Sequence, residues 1–260
     1  MWTRTELKAK AKFLVRQQYW WMVLISFILL FVSGSGSGAG SRAASNSNSD
    51  TSSITEGING IQSGDISLSL VLMIVIGIII FSIIFIAIFA LIRAFVLNPI
   101  YVGCLRFILN AREGRRNFND VVFAFNNSYL NIVKVMFLRD LKVFLWTLLL
   151  IIPGIVKSYE YSMIPYILAE NPAIDSNRVF ELTKVMTNND KLNIFVLGLS
   201  FLPWQILSAI TCFNVGIFWV NPYVNATMAE LYIELREKAF RLNAVAPNEL
   251  YSYTYKGALY

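Results

Sequence analysis

The sequence predicts an all-α, polytopic membrane protein of about six transmembrane helices, arranged as three helical hairpins with short amphipathic cytoplasmic helices. Three observations predict that class. Of 260 residues, 56% are hydrophobic and only 15% are charged, where an ordinary soluble domain carries about 25% charged residues. The apolar residues arrive in long blocks rather than in the spaced stripes of amphipathic helices. Lys and Arg, finally, collect in alternate segments between the blocks, as cytoplasmic loops do.

The elements follow in order. Thr3 and Glu6 are spaced as a capping box, with Trp2 and Leu7 as its hydrophobic staple, so residues 1–18 form an amphipathic cytoplasmic helix. The apolar block Tyr19 to Val32 follows Arg4, Lys8, Lys10, Lys12 and Arg16 and precedes a Ser/Gly tract. That order also describes a cleaved signal peptide, but the capping box favours a retained first span. Residues 34–67 form a low-complexity extracellular loop with too little apolar surface to offset the entropy of ordering it.

Leu68 to Ile92 contains no charge and is interrupted only by Ser69, Gly77 and Ser82. At about 1.5 Å per residue it is longer than a hydrocarbon core of roughly 30 Å, and it far exceeds a soluble strand of about 5 to 6 residues. From Ile132 to Ala169 the chain reads as a helical hairpin turning at Pro153-Gly154. From Leu192 a second such shape is broken by Cys212 to Gly216 and resumed by Ile217 to Leu235, with Pro203 inside the fifth span as a tolerated kink. Residues 243–260 are a cytoplasmic tail, in which Tyr251, Tyr253 and Tyr255 alternate with polar residues. The whole, 1–260, reads as a single integral membrane domain.

With the N-terminus inside, the inner segments receive Arg4 to Arg16, then Arg106, Arg112, Arg115 and Arg116, then Arg178, Lys184 and Lys191, and finally Arg236, Lys238 and Arg241. The outer segments receive only Arg42 and Lys157. Both termini are therefore expected in the cytoplasm. The net charge of +6 belongs to a membrane surface. Spread over several loops without a reading motif, it makes no nucleic-acid interface.

A repeat is visible. Asn126-Asn127-Ser128-Tyr129-Leu130-Asn131-Ile132 matches Asn188-Asn189-Asp190-Lys191-Leu192-Asn193-Ile194, and Asn98-Pro99, Asn171-Pro172 and Asn221-Pro222 recur in or after the second arm of each hairpin. Proline should push each preceding Asn out of helical geometry. Related hairpins of the kind found in transporters and chance matches in a biased composition both explain the pattern.

Histidine is absent, which removes the commonest general base and metal ligand. Cys104 and Cys212 lie singly within or beside apolar blocks and read as packing residues. There is no phosphate-binding loop, HExxH or GxSxG, so no catalytic, cofactor or metal site is expected, and the protein is not expected to be an enzyme.

What remains is polar chemistry at membrane depth. Arg139, Asp140 and Lys142, with Lys134, fall in the third span. If the span starts at Ile132 all four lie in the membrane, and if it starts at Val143 the arm to Pro153 is too short to cross. Asp140 calls for a partner on another helix, with Arg93, Arg106 and Lys191 as candidates. An intramembrane carboxylate suggests a functional site; a late-entering segment would leave an interfacial charge cluster. Glu160, between Tyr159 and Tyr161, is either a second polar site or an interfacial charge in an aromatic belt. Asn221, Asn225 and Glu230 interrupt the sixth span, and the two asparagines share a face suited to hydrogen bonds across helices. Glu234 and Lys238 form a favourable i, i+4 pair.

Phe137-Leu-Arg139-Asp140-Leu141, Pro153-Gly154-Ile155, the stretch from Tyr159-Glu-Tyr161-Ser162-Met163 through Pro165-Tyr166-Ile167-Leu168-Ala169 to Asn171-Pro172, and Trp219-Val220-Asn221-Pro222-Tyr223 resemble domain-of-unknown-function family nine-seven-five of Gram-positive bacterial membrane proteins. The resemblance runs from about Leu97 to Glu237. It implies a multi-pass helical fold in the bacterial plasma membrane and lends no activity or binding residues. Pro203 before Trp204 departs from it, and the Ser/Gly loop has no clear counterpart.

Two functions are therefore expected. One is a transporter or transporter accessory handling a lipid, peptide or small solute through Asp140. The other is a non-transporting membrane interaction protein, for envelope stress or immunity, whose charges only orient helices. Membrane lipids, or another membrane protein, are the expected partners.

Overall fold

The computed structural model describes residues 2–33, 68–115, 117–210, 216–246 and 249–250, and among these every regular element is helical. The Ser/Gly loop 34–67, Arg116, Cys212 and the tyrosines of the tail lie outside the described residues. By its internal contacts the chain divides into one unit of Gly34–Arg93 and another of Met1–Ser33 with Ala94–Tyr260.

The first unit contains α3 (Leu68–Ile92). From Leu72 onward all its side chains are exposed, including Ile76, Phe81 and Ile86. An extended apolar helix with no buried stripe suits a solvent as apolar as itself. Gly77 has nothing within 4 Å of where a Cβ would stand.

In the second unit, α1 (Arg4–Gln17) begins at the expected capping box, with Thr3 and Glu6 bonded reciprocally. It buries Leu7, Ala11 and Leu14, a stripe at helical spacing that packs on α12 (Asn221–Arg241). At Gln18 the chain bends by 107° into α2 (Tyr19–Ser33). The Gln18 amide crosses to the Ala111 carbonyl at 2.5 Å, fixing the corner to the end of α4 (Asn98–Arg112).

α4 and α12 are the heart of this unit. Each starts at an Asn-Pro pair, and each is preceded by a five-residue π-helical segment, Arg93–Leu97 or Gly216–Val220. This corrects the expectation that proline would force the preceding asparagine out of the helix. Proline has no N–H to donate, and a π-turn redistributes the ladder around the missing donor, so the backbone stays helical through Leu97 and Val220. Only at Asn171 does the expected break occur, with φ −129° and ψ 95° ending α8 (Ile164–Glu170).

The heptapeptide repeat also has structural content. Its equivalent residues Tyr129 and Lys191 begin α6 (Tyr129–Leu149) and α10 (Lys191–Leu199), with a left-handed residue directly before the first, Ser128, and two residues before the second, Asn189, and the equivalent Ile132 and Ile194 are buried. Between α4 and α6 lie a 3-10 turn at Phe118–Val121 and the short α5 (Phe123–Asn126). Gly103 of α4 is needed there, because a Cβ would come within 2.0 Å of the Val121 carbonyl oxygen.

The expected hairpin forms from α6 and α7 (Ile151–Glu160), but it turns at Leu150, with φ −156° and ψ 134°. Pro153 sits in the first turn of α7, where its missing N–H costs nothing. Gly154 lies against Thr147, whose Cα is 2.6 Å from the position of a glycine Cβ. After α8 come α9 (Ser176–Met186), capped by the Asp175 carboxylate, then α10 and α11 (Leu202–Ile210). Among the described residues, two helical stretches are long and apolar enough to cross a bilayer, Leu72–Arg112 and Lys191–Ser208, with a third available if the bent pair of α1 and α2 counts as one.

Candidate functional site

The polar residues singled out in the sequence do not converge on one cavity. Asp140 is partly exposed, and its ion pair is with Arg139, next to it in the chain, at 3.9 Å. Lys142 lies over the ring of Phe180 at 3.5 Å from its centroid. Of the cross-helix partners considered for Asp140, Lys191 is engaged by Glu160, and Arg106 donates to the Ala169 carbonyl at 2.7 Å and approaches Asp120 at 3.6 Å.

Glu160 is the more constrained carboxylate. It is buried and receives Lys157 of its own helix at 2.8 Å together with Lys191 from the start of α10. It thereby ties α7 to α10. Glu230 is equally buried and accepts from Arg112 at the end of α4 at 2.7 Å. Asn225 donates to the Ser26 hydroxyl on α2 at 3.0 Å, the cross-helix bond its spacing suggested, while Asn221 starts α12 half-buried.

Glu234 and Lys238, an i, i+4 pair on paper, reach in different directions. Glu234 takes Lys10 of α1 at 2.6 Å, and Lys238 takes Asp190 at 2.7 Å and the Asn188 carbonyl at 2.6 Å. Sequence reasoning missed the most buried ion pair among the described residues, Arg236 with Glu170. Its residues are 66 apart in the chain, so no local spacing signals it.

The α6–α7 hairpin separates apolar from charged residues along its length. From Phe144 to Ile152 every side chain is exposed and, apart from Thr147, all are apolar. The Thr147 hydroxyl is returned to the Val143 carbonyl at 2.8 Å. The charges sit at the base of both arms, with Arg139, Asp140 and Lys142 on one and Lys157 and Glu160 on the other.

A groove of about 950 Å³ opens beside α1. One rim is Lys8, Lys12 and Arg16, spaced four residues apart and so on one face of α1. The opposite wall is aromatic and includes Tyr19, Phe201, Trp204, Phe218, Trp219 and Tyr223. Lys8 lies 4.6 Å from the centre of the Phe201 ring, and the rings of Tyr19 and Trp219 approach to 5.9 Å. Among the described residues, none of the three cations makes an ion pair. Neither does any group of three or more His, Cys, Asp or Glu there offer a metal site. Cys104 is buried with a free thiol.

Comparison with curated proteins and with solved structures returns no match. A family model described as a protein of unknown function, DUF975, matches residues 44–239, beginning inside the Ser/Gly tract and so well before the stretch in which the resemblance was first legible. That span covers most of the chain and includes Asp140, Glu160 and Glu230, and the chain belongs to this DUF975 family.

Proposed function

We propose that this protein is a non-transporting interaction protein of the bacterial plasma membrane, embedded through its apolar helices, with its membrane-facing charges used to join helices rather than to line a path. The observation that carries this reading is the pairing of Glu160 with Lys191 and of Glu230 with Arg112, which commits two buried carboxylates to contacts between helices. Asp140, the residue a polar path would need, is only locally paired and partly exposed.

In this reading α3 and the α10–α11 pair cross the bilayer. Before α3 returns to the inner face α2 crosses outward, and after α10–α11 the chain comes back so that α12 packs on α1, which keeps both termini cytoplasmic in this reading. The α6–α7 hairpin does not cross. At about 1.5 Å per residue, its arm from Lys142 to the turn at Leu150 reaches about 12 Å, less than the roughly 15 Å of one leaflet's hydrocarbon. It dips into the inner leaflet and returns, with the charges at its base among the headgroups, which puts Lys157 on the inner side with the other basic residues.

Two measurements test this. Cysteines placed at Lys142 and at Lys157 should label with a membrane-impermeant maleimide from the same face; labelling from opposite faces means the hairpin spans. Asp140→Asn should accumulate and behave as wild type, whereas Glu160→Gln should reduce accumulation. An Asp140→Asn protein that inserts and folds normally yet fails to complement a deletion strain would instead favour a transport path.

A further inference from the structure

We infer that the groove between α1 and the aromatic wall is a binding site for an anionic glycerophospholipid of the inner leaflet, with its phosphate on Lys12 and Arg16 and its glycerol and upper acyl chains over Trp204 and Trp219. The inference rests on the membrane placement proposed above and adds a ligand class to it.

Charge complementarity points to the occupant. Lys8, Lys12 and Arg16 form a cationic stripe with no carboxylate in ion-pair reach among the described residues, although Lys10 on the same helix has found Glu234. Three cations lining a common cavity repel one another, and an anion bound between them offsets that repulsion. Lys12 and Arg16 are exposed and free to reach a phosphate, while Lys8 is held half-buried against Phe201.

The opposite wall fixes the kind of anion. Trp204, Phe218 and Trp219 are exposed, and amphipathic rings of this type settle where headgroups meet acyl chains. The wall continues into the exposed apolar face of α11, at Leu202, Ile206 and Leu207, so an acyl chain leaving the groove runs onto surface of its own polarity. Inorganic phosphate would satisfy the cations and leave this wall uncovered. The 107° bend at Gln18 supports the arrangement: with α2 entering the bilayer, α1 lies across its face and presents the stripe at headgroup depth.

The test uses the full chain purified in a neutral detergent, with phosphatidylglycerol or phosphatidylcholine added and the bound lipid counted by native mass spectrometry. Wild type should retain phosphatidylglycerol in preference to phosphatidylcholine. Each basic residue near an anionic surface contributes roughly a fivefold preference, so the double variant Lys12→Gln/Arg16→Gln should lower phosphatidylglycerol affinity about thirtyfold and leave phosphatidylcholine unchanged. A control with the same loss of charge on exposed positions elsewhere, Lys134→Gln/Lys184→Gln, should bind as wild type. Trp204→Ala/Trp219→Ala should weaken both lipids.

Equal affinity for the two lipids, equal loss in the control variant, or full displacement of phosphatidylglycerol by inorganic phosphate or a soluble acidic peptide would overturn the inference. The membrane reading fails separately, if the protein in cells is released from the membrane fraction by alkaline carbonate. The detergent comparison needs no bilayer, so its outcome stands apart from that result.

Discussion

Arg236 of α12 and Glu170 at the end of α8 form an ion pair inside the protein, with 1% and 6% of their side chains exposed. Arg236 also stands 3.7 Å from Glu237; breaking a buried pair by removing one member costs about 3–5 kcal/mol where little else compensates the charge left behind, whereas replacing both with apolar groups is often neutral or better. Arg236→Met should therefore lower the thermal unfolding midpoint of the detergent-solubilised protein sharply. Arg236→Met/Glu170→Leu should recover most of the loss, a difference that a double-mutant cycle reads directly.

Glu160 makes a parallel case between α7 and α10. Lys191→Met should release the start of α10 while leaving Lys157 as the remaining partner of Glu160. The ring of Tyr159 meets Phe195 edge-on at 5.7 Å across the same seam. Hydrogen exchange should rise in α10 by about tenfold, for a loss of about 1.5 kcal/mol, and stay unchanged in α12. Uniform acceleration across the protein would contradict a local seam.

Gly154→Val should damage the hairpin, because even a Cβ there would stand 2.4 Å from the Thr147 hydroxyl and 2.6 Å from its Cα. Forcing extra atoms into such a contact costs about 1–3 kcal/mol. Gly77→Ala on α3, with open space around it, should leave the unfolding midpoint within about 0.5 kcal/mol of wild type or raise it.

The segment after α12 is held to α9 by a pH-sensitive contact. Arg178 donates to Glu249 at 2.8 and 3.0 Å and to the Ala244 carbonyl at 2.7 Å. The Arg178 hydrogen bonds, helped by the Ala246 N–H, hold the Glu249 carboxyl below its ordinary range, and Glu249 pushes the guanidinium higher still. A carboxyl whose folded value is depressed contributes stability above its unfolded value of about 4.3, and that stability is lost as pH falls through the lower folded value. Protease protection of residues 243–246 should thus hold from pH 7 to about pH 5 and fall away below pH 4. Glu249→Gln should remove the pH step.

Much of the local structure was legible because its causes are local. The box of Thr3 and Glu6 starts α1, and the uncharged run from Leu68 makes α3. The Asn225 face finds Ser26 because i, i+4 spacing aims it across a helix seam. The turn between α6 and α7 was misplaced by three residues because Pro153 signals a turn equally well from the first helical turn after it. Asn98 and Asn221 were misread as breaks because nothing in a single sequence marks a π-segment that absorbs the proline.

The helical class, the apolar blocks and the starts of α1, α2 and α3 are legible in the residues alone, since these follow from backbone donors, caps and side-chain periodicity within a few residues. Only the tertiary structure decided which charge meets which: Glu234 with Lys10 rather than Lys238, Lys191 with Glu160 rather than Asp140, and Arg236 with Glu170. Ion pairs of this kind depend on which helices lie side by side and on how far each charge is withdrawn from solvent, and chain spacing encodes neither.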